Sequence, residues 1–193
     1  MKRYKGKYRI ESTRLRGWDY GSNGMYFITI CTYNREHYFG EIITPTMQLS
    51  EIGKIAQNYW NQIPKHFPFV QLNEFVVMPN HVHGIIIINK NDDERNNDKR
   101  NNSALITTIP NDSINLHRTM NASQQWYPKT VGVIVNQYKR MVTITARQIH
   151  AEFAWQARFY DHIIRDAPSY HRIKHYIVKN PKNWTNDGFN KNG

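Results

Sequence analysis

Two histidines near the middle of this chain and a tyrosine–asparagine pair near its end are the residues whose spacing could do chemistry. His81 and His83 stand in Met78-Pro79-Asn80-His81-Val82-His83-Gly84, which runs straight into Ile85-Ile86-Ile87-Ile88. Side chains alternate faces along a strand, so both imidazoles can be offered to one divalent cation. Two neutral imidazoles leave coordination positions open, which suits an ion that also holds a phosphate oxygen, such as Mg²⁺ or Mn²⁺. Tyr176 and Asn180 lie in His175-Tyr176-Ile177-Val178-Lys179-Asn180-Pro181, four residues apart, and so are neighbours on one face of a helix. That spacing lets Asn180 place an amide oxygen on the metal while the Tyr176 phenol points at whatever the metal holds. A phenol with an ordinary pKa of about 10 is a poor nucleophile, and it needs a polarised phosphate or a nearby base.

Each signal has a plainer reading. An H-x-H pair on an exposed strand arises by chance; here the run of isoleucines puts the pair where a buried central strand emerges. Tyr176 could simply pack beside Ile173 and Ile177, and on spacing alone that reading wins. Among rival tyrosines, Tyr138 falls in register with apolar neighbours and reads as core, although Lys139 and Arg140 flank it. Tyr160 lies in a strand, and Tyr170 has no amide or acid four residues on.

The elements that must position these residues follow from periodicity. Residues 25–33 alternate and are rich in Tyr, Phe, Ile and Thr, which predicts a strand, with 38–43 as a short companion to it. From Ser50, a plausible N-cap, Ile52, Ile55, Ala56, Tyr59 and Ile63 recur at helical spacing until Pro64. A second strand over 72–78, a turn at Pro79-Asn80 and a third, doubly apolar strand over 81–89 come next. After a polar stretch, Val131, Ile134, Val135, Tyr138, Met141, Val142 and Ile149 trace a second helix face, and 155–165 reads as a fourth strand. Asp166-Ala167-Pro168 opens a third helix that Pro181 stops. The order strand, helix, strand, strand, helix, strand predicts an α+β, ferredoxin-like βαββαβ sandwich with an antiparallel sheet, plus an added C-terminal helix carrying Tyr176.

At 193 residues and 39% hydrophobic content the chain can bury one core. The expected organisation is a basic N-terminal arm over 1–24, one domain over 25–184 and a tail over 185–193. Within the domain, residues about 90–125 turn abruptly to Asn, Asp, Lys, Arg and Ser and read as a mobile insertion. A formal charge of +11 favours a polyanionic partner. Twelve Tyr, eight Phe and five Trp favour unpaired nucleic acid, on whose bases aromatic rings stack. Arg14, Arg16, Trp18 and Tyr20 in the arm, with Lys139 and Arg140 on the second helix, are the candidate contacts; a partly ordered leader is the competing reading of the arm. The single Cys31 excludes an internal disulfide and reads as a small buried hydrophobe, and no apolar run reaches membrane-spanning length, so the expectation is a cytoplasmic protein.

Several spaced blocks together are more specific than the histidine pair. They are Arg16-Gly17-Trp18-Asp19-Tyr20, Tyr26-Phe27-Ile28-Thr29-Ile30-Cys31-Thr32, Val77-Met78-Pro79-Asn80-His81-Val82-His83-Gly84, Trp155-Gln156-Ala157-Arg158-Phe159-Tyr160-Asp161-His162 and Tyr176-Ile177-Val178-Lys179-Asn180-Pro181. With them the chain resembles the single-tyrosine HUH transposases, where U is a bulky apolar residue, and in particular the REP-associated group, over nearly its whole length outside the insertion. The resemblance implies metal-dependent cleavage and rejoining of single-stranded DNA through a 5′-phosphotyrosine, on imperfect hairpins. It implies His81 and His83 as metal ligands and Tyr176 as nucleophile, with Asn180 where related enzymes place a third, amide-bearing ligand; many of them carry Gln there. Whether the chain acts as a monomer or as a homodimer stays open. Two competing functions are a catalytically inactive single-stranded nucleic-acid-binding module derived from a transposase, and a metal-dependent hydrolase with no covalent intermediate.

Overall fold

The computed structural model describes residues 14–43, 45–91 and 129–190, together with the backbone of residues 3–4 and 7–8. Most of the insertion expected at about 90–125, and the start of the N-terminal arm, lie outside the described residues. The elements in chain order are β1 (Arg3–Tyr4), β2 (Lys7–Tyr8), β3 (Gly24–Cys31), β4 (Gly40–Ile43), β5 (Thr46–Leu49), α1 (Glu51–Asn61), α2 (Ile63–His66), β6 (Val70–Met78), β7 (His81–Ile88), α3 (Val131–Ala146), β8 (Tyr160–Ile164) and α4 (Ala167–Lys179). Short 3₁₀ turns cover Tyr33–Arg35 and Pro181–Asn186.

β3, β6, β7 and β8 form one four-stranded sheet in the order β6-β7-β3-β8, antiparallel throughout. β7 is therefore central, as its doubly apolar sequence requires. One face carries the larger core, in which Tyr26, Ile28, Ile30, Val82 and Ile86 of the sheet meet Ile52, Ala56 and Trp60 of α1 and Ile134, Val135, Tyr138 and Val142 of α3. The other face packs Phe27, Ile85 and Ile164 against Ile177 of α4. The polypeptide thus makes a mixed α/β unit with helices on both sides of the sheet, and the last helix lies on the side to which His81 and His83 point.

Local signals explain most boundaries. Ser50 accepts the Gly53 amide at 3.0 Å to start α1, Thr130 caps α3, and Asp166 accepts the Ser169 amide at 2.7 Å to start α4. Gly84 is required by packing: a β-carbon there would run into the Trp60 indole, which lies against the strand.

Three expectations need correction. Residues 38–43 do not accompany β3; β4 pairs with β5 in a separate two-stranded ribbon. The fourth strand starts at Tyr160, not 155, because Trp155 makes only an isolated bridge to Thr32 and turns its ring into the Phe39, Tyr138 and Phe153 cluster. α3 stops at Ala146, and Ile149, expected on its buried face, is exposed after two tight turns close on Thr145 and Ala146.

Candidate functional site

The site forms where β3 and β7 end beside α4. Across the antiparallel ladder Thr29 faces His83 on one side and Tyr160 on the other, and Cys31 faces His81. Residues directly opposite in a ladder share a face, so these side chains project together toward α4. His81 and His83 are 0% and 1% exposed, with ring centroids 4.4 Å apart.

Hydrogen bonds fix how each ring presents itself. Asn80 gives both its amide protons away, to Arg35 O at 3.1 Å and Phe189 O at 2.8 Å. Its Oδ1 must therefore accept from His81 Nδ1, 2.8 Å away. A neutral imidazole has one donor nitrogen and one acceptor, so His81 Nε2 carries a lone pair, and it is buried with no hydrogen-bond partner. Burial drives the His81 pKa down to about 3, against an opposing pull from the Asn180 amide, and holds His83 well below its ordinary value. Both rings are neutral at neutral pH, the form that binds metal.

His83 sits between two hydroxyls, Thr29 Oγ1 at 2.8 Å from Nδ1 and the Tyr176 phenol at 3.1 Å from Nε2. The ring donates at one nitrogen and accepts at the other, so the two hydroxyls fill complementary roles. Phe27 stacks on His83 at 5.4 Å and meets Tyr176 edge-on at 6.2 Å, which fixes the phenol over the sheet. Tyr176 is 39% exposed. Its pKa is pushed up to about 12 by burial first and then by the Asp187 carboxylate, with a hydrogen bond from Asn180 opposing. The phenol is therefore protonated at neutral pH.

Asn180 is the C-cap of α4 and is 1% exposed. Its Nδ2 donates to Asp187 Oδ2 at 2.7 Å, which leaves Oδ1 buried and without a partner. One corner of the molecule thus holds a nitrogen lone pair and an amide oxygen, both desolvated and both lacking a donor. Unpaired buried acceptors are costly, and a donor or a cation placed between them would satisfy both. With His83 they make a mixed nitrogen and oxygen set suited to a divalent ion. Among the described residues no three His, Cys, Asp or Glu side chains are grouped so as to hold a metal ion.

The four residues read from spacing thus come together. The candidate nucleic-acid contacts do not all join them. Arg14 pairs with Asp161 at 2.8 Å and lies over the Tyr20 and Phe159 rings, while Tyr20 takes the Leu15 amide and packs on the larger core, on the opposite face of the sheet. Trp18 donates to the Tyr26 hydroxyl at 3.3 Å yet stays 37% exposed, and Arg16 and Arg140 are exposed. Lys139 donates to Gln156 O at 2.7 Å. Of the rival tyrosines, Tyr138 is buried, with its phenol pushed far up by desolvation and donating to Ala56 O. Tyr170 donates to Asn73.

Thr29, Asn80, Arg35, Asp187 and Phe189 complete the site and were not singled out for it by sequence reasoning. The tail drawn from residue 185 is an ordered part of the site as far as Asn190: Phe189 covers His81 at 4.5 Å and His83 at 5.6 Å between ring centroids.

No protein-family model matches the chain. It is 40% identical over 183 residues to an uncharacterized protein of Haemophilus influenzae, covering 94% of this chain and 93% of the other. It is 22% identical over 183 residues, 90% of this chain and 84% of the other, to a Haemophilus influenzae protein provisionally named a REP-associated tyrosine transposase. Among solved structures it is similar to a REP-associated tyrosine transposase bound to a REP hairpin, with a TM-score of 0.56 and 17% identity, over 93% of this chain and 76% of that one. A provisionally assigned transposase of Deinococcus radiodurans is more distant, with a TM-score of 0.43 and 11% identity over 86% of this chain and 96% of the other.

Proposed function

The chain belongs to one family with the uncharacterized Haemophilus influenzae protein and is similar in fold to a REP-associated tyrosine transposase, and on that footing we propose that it cuts and rejoins single-stranded DNA through Tyr176. The observation that carries this reading is the Tyr176 hydroxyl 3.1 Å from His83 Nε2, beside the two unpartnered buried acceptors, His81 Nε2 and Asn180 Oδ1. We read the βαββαβ order with the sheet order β6-β7-β3-β8 as the ferredoxin-like arrangement, with α4 added to deliver the tyrosine.

His81, His83 and Asn180 would hold a divalent cation, Mg²⁺ or Mn²⁺. Bound there, it would draw charge from a phosphate oxygen and make the phosphorus a better electrophile. To hold the cation through Nε2, His83 would have to release the Tyr176 hydroxyl, which lies 3.1 Å from that nitrogen. Phe27 holds the phenol over the sheet and limits where it can swing. The Tyr176 oxygen attacks phosphorus, the bond to the 3′ oxygen breaks, and that oxygen departs as a hydroxyl with the proton the phenol loses. The 5′-phosphotyrosine exchanges one phosphodiester for another, so a second 3′-hydroxyl can reverse the step and rejoin a strand. Exposed Arg16, Trp18 and Arg140 are the candidate contacts to an imperfect hairpin; Arg14, Tyr20 and Lys139 would act mainly by supporting their surroundings.

The test uses hairpin oligonucleotides from the DNA flanking the gene, labelled at either end and incubated with the protein and Mn²⁺. The proposal expects the protein to retain the fragment downstream of the cut and to release an upstream fragment ending in a 3′-hydroxyl. A protein-bound upstream fragment, or cleavage with no bound DNA, contradicts it. Binding without cleavage in all substrates would favour the inactive binding module, a reading supported by the Phe189 ring lying over both histidines.

A further inference from the structure

We propose that residues 187–189, beyond the tyrosine helix, are the outer coordination shell of the site, with Asp187 as the residue that positions the Asn180 amide. This rests on the metal reading of His81, His83 and Asn180 given above.

A primary amide has a donor end and an acceptor end of nearly the same shape, and the partner of the donor end decides which way it faces. A carboxylate only accepts, so Asp187 Oδ2, at 2.7 Å from Asn180 Nδ2, holds the amide with Oδ1 turned away. That turned oxygen is the buried atom with no partner. We assign Asp187 to the outer shell because both its oxygens accept from protein groups, the second from the Phe189 amide at 2.8 Å. Through that bond it shapes the turn that brings the Phe189 carbonyl to Asn80 Nδ2 at 2.8 Å. Asn80 in turn sets the His81 tautomer through its Oδ1. The same short segment therefore orients two of the three proposed ligands, one directly and one through an asparagine. Arg35 holds it in place, donating to Gly188 O and lying over the Phe189 ring at 4.8 Å. Partners of this kind orient ligands and raise metal affinity.

The experiment is a Mn²⁺ titration of the full chain, read by calorimetry and by the loss of the free-ion paramagnetic resonance signal, without DNA. Asp187→Ala is expected to weaken Mn²⁺ binding by roughly tenfold or more, the usual cost of losing such a partner. In an Asn180→Ala background, which also weakens binding, Asp187→Ala should cost little further, because its effect passes through that amide. Undiminished binding in Asp187→Ala overturns the proposal, and so does an equal further loss in the Asn180→Ala background. If the parent protein binds no Mn²⁺, the metal reading falls and this inference with it. If the parent binds and Asp187→Ala binds equally well, only the outer-shell role falls.

Discussion

At the scale of single residues, the site depends on keeping neutral, desolvated acceptors in fixed orientations. Burial holds His81 at a pKa of about 3, far below the ordinary histidine value. The native state therefore refuses a proton that the unfolded chain accepts, and stability is full at high pH and falls as pH drops below the unfolded value of about 6.5. In metal-free protein His81 alone should cost about 2 kcal/mol between pH 7 and pH 5. Thermal unfolding across that range should show the loss and show less of it in His81→Gln; equal acid sensitivity in both proteins contradicts the assignment. Thr29→Val keeps the shape but removes the hydroxyl from His83 Nδ1. It should destabilise the fold by about 1–3 kcal/mol, the cost of stranding a buried polar atom, and an unchanged denaturant midpoint would argue against that bond. The resemblance, not spacing alone, singled out Tyr176, which spacing reads as a packing residue; the neighbour pairs His81–His83 and Tyr176–Asn180 were legible from strand and helix periods. Thr29 and Asp187 were not, because their roles depend on partners 54 and seven residues away in sequence, which no local period links.

At the scale of elements, the site is anchored from behind. β7 carries the histidines on one face and the contact with α1 on the other, where Gly84 admits the Trp60 ring. Gly84→Ala should therefore cost about 1–3 kcal/mol through overpacking, measured by urea unfolding; stability within a few tenths of a kcal/mol of the parent would show that Trp60 yields easily. The central strand was legible from its isoleucines, α1 and α4 from Ser50 and Asp166 with the apolar periods that follow, and α3 from its apolar period alone. The β4–β5 ribbon escaped because Thr46–Leu49 is short and half exposed, with no long apolar alternation. The late start of β8 escaped because the residues before it, Trp155 and Phe159, look like strand residues but pack as core aromatics.

At the scale of the molecule, a formal charge of +11 on 193 residues means that, for the proposed DNA substrate, phosphate contact would be the main source of affinity. Binding of a hairpin oligonucleotide should fall steeply with salt, with a log–log slope of about −0.7 per single-strand phosphate contacted; affinity independent of salt would remove nucleic acid as the natural partner. Composition pointed to a polyanionic partner but not to the surface that would meet it, since Arg14 of the arm pairs internally with Asp161. Among the described residues no helix is long and apolar enough to cross a membrane. The most direct measurement of the central claim is mass-spectrometric mapping of the protein–DNA adduct formed with flanking hairpin oligonucleotides and Mn²⁺. The account predicts that the nucleotide mass sits on the peptide containing Tyr176 and that Tyr176→Phe binds the same DNA but forms no adduct; an adduct that persists in Tyr176→Phe, or that maps to Tyr160 or another tyrosine, would contradict it.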